Sequence, residues 1–202
     1  MATSREQILT IASEVLRKEA EAILTLRESL DDSFLQTVEL LSNCKGKAIL
    51  IGIGKSGHVG RKVAATLASL GTSAFFVHAG EAIHGDFGMI TAQDIAILIS
   101  HSGETAEVLA LVETIHKIGS KIITITGRKD CSLARHANVV LVTNVVKEAD
   151  PLNLAPTSSS TVTLALGDAI AVTLAQLRGF TGQDFARFHP GGALGRRLTE
   201  DH

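Results

Sequence analysis

Five short runs constrain this chain more than any other feature: KAILIGI (47–53), SAFFVHA (73–79), DIAILIS (94–100), KIITITG (121–127) and NVVLVT (138–143). Each is β-branched and apolar almost throughout. A strand with one wet face alternates apolar and polar residues, whereas runs without that alternation are buried on both faces, as parallel strands are. Between most of them lie helix-like stretches, SGHVGRKVAATLASLG, SGETAEVLALVETIHKIG and the short CSLARHA. A long apolar segment, PTSSSTVTLALGDAIAVTLAQLRG, follows the last run. Strand and helix in this rhythm make βαβ units, so the expected fold is α/β, a five-stranded parallel sheet flanked by helices on both faces.

Two helices precede the first strand. From Ser4 to about Leu30, Ile8, Ile11, Ala12, Val15, Ile23 and Leu24 fall near helical spacing, with Ser4 as N-cap and Gln7 completing a capping box. A second helix follows Asp32 and uses Phe34, Val38 and Leu41. With no repeat or linker, one domain over 1–202 is the simplest organisation: helices to 45, an α/β core over 46–180 and a polar tail over 181–202.

Composition excludes several classes. Aromatics are only 3% and Trp and Tyr are absent, so the core must come from Ile, Val, Leu and Ala. A formal charge of -2 argues against a duplex-binding surface, which needs clustered Lys and Arg. Cys44 and Cys131 have no metal-ligand spacing and read as free thiols of a reducing cytoplasm. The N-terminus MATSREQILTIASEV is charged and amphipathic, without the apolar core of a signal peptide. No run approaches the roughly 20 apolar residues of a membrane span, so no membrane partner is expected.

Parallel sheets bind ligands at the carboxyl ends of their strands, which makes the strand-to-helix loops the place to look. The first is GIGKSG (52–57). As a dinucleotide fingerprint it lacks the acidic residue about 20 positions on, because the second strand ends Phe76-Val77-His78 and the next acid is Glu81. As a P-loop it lacks the first glycine, since position 49 is Ile49. A glycine loop opening a helix remains, with Gly54, Ser56 and backbone amides available to an anion. The third strand ends in SHSGET (100–105), where Ser100, Ser102 and Thr105 surround a glycine, and PTSSST (156–161) opens a third helix. Hydroxyls and amides grouped at helix starts suit a phosphate monoester. The inferred ligand is a small phosphorylated molecule.

GxGKSG after the first strand and S-x-S-G-x-T after the third resemble the sugar isomerase (SIS) domain family, a flavodoxin- or Rossmann-like three-layer sandwich. GKSGHVGRK (54–62), HAGEAIHGDFG (78–88), KEADPLNLAPTSSST (147–161) and GFTGQDFARFHPGGALG (179–195) resemble its arabinose-5-phosphate isomerase branch, over roughly Lys47 to Leu198. The resemblance implies interconversion of D-ribulose 5-phosphate and D-arabinose 5-phosphate through an enediol, feeding Kdo and lipopolysaccharide synthesis. It implies a cytoplasmic homotetramer with shared active sites, no required cofactor, and zinc as an inhibitory ligand for which His78 is the candidate. It assigns functional positions to Lys55, His84, Glu107, Glu148 and His189, and Gly71 and Thr72 join Gly54 and the Ser loops as the substrate-binding set.

An aldose–ketose isomerase needs a base, a donor at the carbonyl oxygen and a grip on phosphate. His84 and His189 suit proton transfer near neutral pH, Glu107 and Glu148 serve as base or orient a histidine, and Lys55 stabilises the enediolate oxygen or the phosphate. His84 is the favoured base, with Glu148 its rival. Taken singly each has an ordinary reading, as a solvated helix charge or a loop residue; only their joint placement points to catalysis.

Position 101 in the Ser loop is His where the family more often has Asn, a departure expected to alter phosphate affinity while a backbone role would survive it, and His58, His101, His116 and His136 read as surface or core histidines. Most relatives continue into a pair of CBS domains beyond the G-G-A-L-G segment, and whether this sequence is a short natural form or an isolated catalytic domain stays open. Two other functions compete: a non-enzymatic phosphosugar sensor, which needs the phosphate loops but no base, and an isomerase of another sugar phosphate, such as a heptose phosphate.

Overall fold

The computed structural model describes residues 4–190. Two helices, α1 (Arg5–Glu28) and α2 (Asp32–Ser42), lead into β1 (Ala48–Gly52) and α3 (Gly54–Ser69). Next come β2 (Ala74–His78), a single turn α4 (Ala79–Ala82), and β3 (Ile95–Ile99), followed by α5 (Ala106–Leu109) and α6 (Val112–Ile118). Then β4 (Lys121–Thr126), β5 (Val139–Val142), the long α7 (Ser158–Leu177) and α8 (Gly182–Phe188) complete the described residues. All four strand pairings are parallel, in the order β2-β1-β3-β4-β5.

The five apolar runs are the five strands, each within a residue or two of its expected bounds. Successive side chains of a strand point to opposite faces. Leu50, Ile97, Ile99, Ile123 and Leu141 therefore pack on one face against Leu26, Leu41, Leu67, Leu166 and Leu174 of the helices α1, α2, α3 and α7. Ile49, Ile51, Leu98 and Ile122 pack on the other against Val108, Leu111 and Ile115 of α5 and α6. Sequential strands run outward from β1 in both directions, which puts helices on both sides of the sheet.

Four expectations need correction. The stretch over 102–119 is not one helix: its backbone tightens at Leu111, whose amide donates to Val108 O, and α6 starts anew. The segment CSLARHA gives only a 3₁₀ turn at Ala134–His136. The expected limit on apolar length fails for α7, whose 20 residues are long and apolar enough to span a membrane. Here α7 is a core helix, with Val162, Leu166, Ile170 and Leu174 buried against the sheet and α3. The tail expected from 181 begins with α8, held by a reciprocal capping box between Thr181 and Asp184; residues 191–202 lie outside the described residues.

In α1, Ser4 Oγ accepts from the Gln7 amide, the first half of the expected box. Its apolar stripe is covered only near the end. Leu26 is buried, while Ile8 and Ile11 are more than half exposed. Cys131 is buried and Cys44 half-buried, and both thiols are free.

Candidate active site

Three loops meet at the carboxyl edge of the sheet. In the first, α3 begins directly after β1. Gly54 takes φ +58, and a side chain there would meet nothing within 4 Å, so its backbone lies open to a ligand. Ile53 at the N-cap supplies no side-chain acceptor, which leaves the first-turn amides for an anion. Lys55 and Ser56 stand on that turn.

The second loop follows β3 and is folded by its own hydroxyls. The buried Ser100 Oγ accepts from the Gly103 amide at 3.1 Å and lies 2.7 Å from Thr105 Oγ1. Ser102 Oγ accepts from the Glu104 amide at 3.1 Å. Gly103 has φ +68, and a Cβ there would fall 2.2 Å from Cys131 Sγ, so no other residue fits this turn. Each hydroxyl keeps spare hydrogen-bonding capacity.

The third loop corrects the sequence reading. PTSSST does open a helix, but the anion at the start of α7 is the chain's own. Glu148 Oε2 accepts from the amides of Thr157 (2.8 Å) and Ser159 (3.1 Å) and from Thr157 Oγ1 (3.2 Å). Oε1 accepts from Ser159 Oγ. Burial pushes the Glu148 carboxyl up, but the hydrogen bonds from Ser159 and Thr157 outweigh it and hold the group below the usual carboxylate value. Glu148 is a fixed carboxylate.

Two adjoining cavities run between these loops. One, of about 40 Å³, is lined by Lys55, Ser56, His101, Pro156, Ser159 and Ser160, among others. The other, of about 180 Å³, is lined by His101, Lys147, Glu148, Asn153 and Pro156 with Val145, Val146 and Leu154. Neither reaches the roughly 300 Å³ at which small-molecule pockets begin. A larger cavity, of about 460 Å³, lies near Asp31, Phe34, Arg128 and Lys129 and touches none of the expected site residues.

The groove thus gathers Lys55, Ser56 and Glu148, with Gly54, Ser100, Ser102 and Thr105 on its bounding loops. It gathers His101 too, which sequence reasoning had set aside; its place inside the Ser loop, directly after Ser100, was the available signal. Glu107 is exposed on the first turn of α5, and His84 is exposed in the loop after the edge strand β2. Neither lines these cavities.

Within this chain Gly71 and Thr72 lie away from these cavities. They precede β2, at the amino edge of the sheet. The 16 residues of α3, at about 1.5 Å each, separate Gly71 from Gly54 by about 24 Å. Their local roles are structural. Gly71 has φ +85 and is covered by the Phe180 ring, while Thr72 Oγ1 accepts from Arg178 at 2.7 Å. His189 lies at this same edge. Phe188 stacks on Phe180, and the next residue, His189, stacks on Phe185 at 3.9 Å and donates from Nδ1 to Phe185 O at 2.8 Å.

His78 does not fit a metal as it stands. Its Nδ1 accepts from the Gly80 amide and caps α4. Among the described residues no group of three His, Cys, Asp or Glu side chains is arranged to hold an ion.

A doubly wound parallel sheet with an open helix start and a hydroxyl turn at its carboxyl edge defines an α/β protein built to hold a small anion. The SIS domain profile matches residues 40–173, and the chain belongs to the SIS domain family. It is 55% identical over 185 residues to arabinose 5-phosphate isomerase KdsD of Salmonella typhi, covering 92% of this chain and 56% of that protein. To the same-named protein of Pseudomonas aeruginosa it is 52% identical over 187 residues, covering 93% and 57%. The chain thus spans little more than half the length of these curated relatives. The E. coli CFT073 protein c3406, solved in complex with arabinose 5-phosphate, superposes with a TM-score of 0.91 at 42% identity, covering 93% of this chain and all of that one.

Proposed function

We propose that this chain is the isomerase unit of an arabinose-5-phosphate isomerase, interconverting D-arabinose 5-phosphate and D-ribulose 5-phosphate for Kdo and lipopolysaccharide synthesis. The observation that carries the reading is the match to c3406 over that protein's whole length, together with its complex with arabinose 5-phosphate. The site residues then take roles by chemistry. The α3 start and the Ser loop grip the phosphate. A base removes the proton from C2 of the aldose, the electron pair forms the C1=C2 bond, and the C1 oxygen takes the charge beside Lys55. Transfer of the C2 hydroxyl proton to the C1 oxygen and return of the abstracted proton to C1 give the ketose. His84 is the proposed base. Glu148, already accepting four hydrogen bonds, is the weaker proton acceptor and fixes the far wall of the groove. None of these steps calls on a cofactor.

The site is shared between subunits of a homotetramer. Three observations support this: cavities too small for a sugar phosphate in one chain, His189 at the opposite sheet edge, and the uncovered apolar half of α1. A neighbour's His189 would complete the wall. Free thiols at Cys44 and Cys131 suit a cytoplasmic setting. The test is a substrate panel: arabinose 5-phosphate, ribulose 5-phosphate and sedoheptulose 7-phosphate, with products followed by NMR. Interconversion of the first two alone supports the proposal. Turnover only of the heptose phosphate, or binding of any without turnover, refutes it in favour of a different isomerase or a sensor.

A further inference from the structure

The segment between β5 and α7 carries Glu148 to the groove, and its later part stands in solvent. Residues 151–156 are all exposed, Leu152 at 74% and Leu154 at 77%. Burial therefore does not set the shape of this turn. Hydrogen bonds to one side chain do. Asp150 Oδ2 accepts from the amides of Leu154 (2.9 Å) and Ala155 (3.0 Å), and Asp150 O accepts from the Asn153 amide at 2.9 Å. The amides of Ala155 and Leu154 hold the Asp150 carboxyl below its usual value, so it stays ionised through the neutral range.

The turn closes back on Glu148. Asn153 takes φ +54, a left-handed conformation that asparagine tolerates better than most residues, and its Oδ1 accepts from the Glu148 amide at 2.7 Å. Thr157 Oγ1 accepts from the Ala149 amide at 2.8 Å, while the Thr157 amide donates to Glu148 Oε2. Backbone and carboxylate of Glu148 are thus both held by the loop that Asp150 folds. The same loop is a wall of the groove, because Asn153, Leu154 and Pro156 line the cavity of about 180 Å³ beside Glu148.

We propose that Asp150 is a positioning residue of the isomerase site: its carboxylate holds the 151–156 turn, and the turn sets Glu148 and the wall beside it. This rests on the sugar-phosphate reading of the groove. The Ser loop is tied to itself and to the end of β4 instead. Losing the Asp150 carboxylate should therefore disturb the sugar side of the groove and spare the phosphate side.

The test compares wild type with Asp150→Ala and Asp150→Asn. In Asp150→Ala, kcat/KM for arabinose 5-phosphate should fall about tenfold, within the roughly hundredfold that a misplacement of about 1 Å can cost. The inhibition constant of inorganic phosphate, which needs only the grip, should stay within about twofold of wild type. Asp150→Asn keeps an acceptor oxygen in place and should recover most of the loss. Phosphate inhibition that weakens alongside kcat/KM overturns the proposal, because a general loss of fold would disturb both. Wild-type kcat/KM in Asp150→Ala overturns it as well, and so does an equal loss in Asp150→Asn.

A second readout works without turnover: hydrogen exchange of the Thr157 and Ser159 amides, which donate to Glu148. Faster exchange in Asp150→Ala supports the positioning, and unchanged protection refutes it. Inactivity of the wild type towards arabinose 5-phosphate would instead overturn the functional reading, with amide exchange still deciding what Asp150 holds.

Discussion

Glu148 shows how one side chain can be read as chemistry from the sequence and prove to be architecture as well. Its carboxylate occupies the amide cluster at the start of α7, so Glu148→Gln should cost about 1 kcal/mol of capping stability near neutral pH. The sign with pH follows from the depressed carboxyl. A group more acidic in the folded chain contributes its stability above the ordinary 4.5 and loses it as pH falls through the lower folded value. The difference in melting temperature between wild type and Glu148→Gln should therefore shrink below about pH 4.5; a difference that holds at acid pH would mean that charge is not what caps α7. Grip and chemistry separate by the same kind of measurement. Ser56→Ala and Ser102→Ala should raise KM with kcat nearly kept, because a phosphate contact is made in ground and transition state alike. His84→Ala should lower kcat by roughly 10²–10⁴. If Glu148→Gln abolishes turnover while His84→Ala leaves it intact, the base has been assigned to the wrong residue.

At the scale of elements, closeness between helices sets the tolerance. A Cβ on Gly167 of α7 would fall 2.4 Å from Val63 Cγ2 of α3, so Gly167→Val should destabilise by about 1–3 kcal/mol through overpacking. Thermal denaturation measures this, and an unchanged melting temperature would contradict the tight α3–α7 seam. The strands were legible because burial on both faces removes polar alternation, which leaves a signal in the sequence itself. The break between α5 and α6 was not, because nothing in AEVLALVETIH marks it; the turn at Leu111 comes from packing that side chain under the sheet. The site follows the same division. Lys55, Ser56 and the Ser loop could be read because they stand on strand ends, whose position topology fixes. Glu148 as a cap, and Gly71 and Thr72 at the edge away from the groove, depend on tertiary distances that local pattern does not carry.

The whole molecule raises the question of what one chain can do alone. His189 and the Lys55 groove lie at opposite edges of the sheet, and the proposed shared site turns that distance into a requirement for assembly. Inactive His189→Ala and Lys55→Ala proteins, mixed and allowed to exchange subunits, should regain part of the lost activity, because some hybrid sites receive both intact residues. Activity that stays at background after verified exchange would return His189 to its own chain. The central claim is that this groove moves a proton at C2 of a sugar phosphate, and deuterium uptake reads it directly. In deuterium oxide with a chelator present, the wild-type chain should exchange the C2 proton of arabinose 5-phosphate, and Lys55→Ala should bind the sugar but exchange it far more slowly. Saturable binding by the wild type with no deuterium at C2, or exchange that disappears with the chelator, would contradict the account.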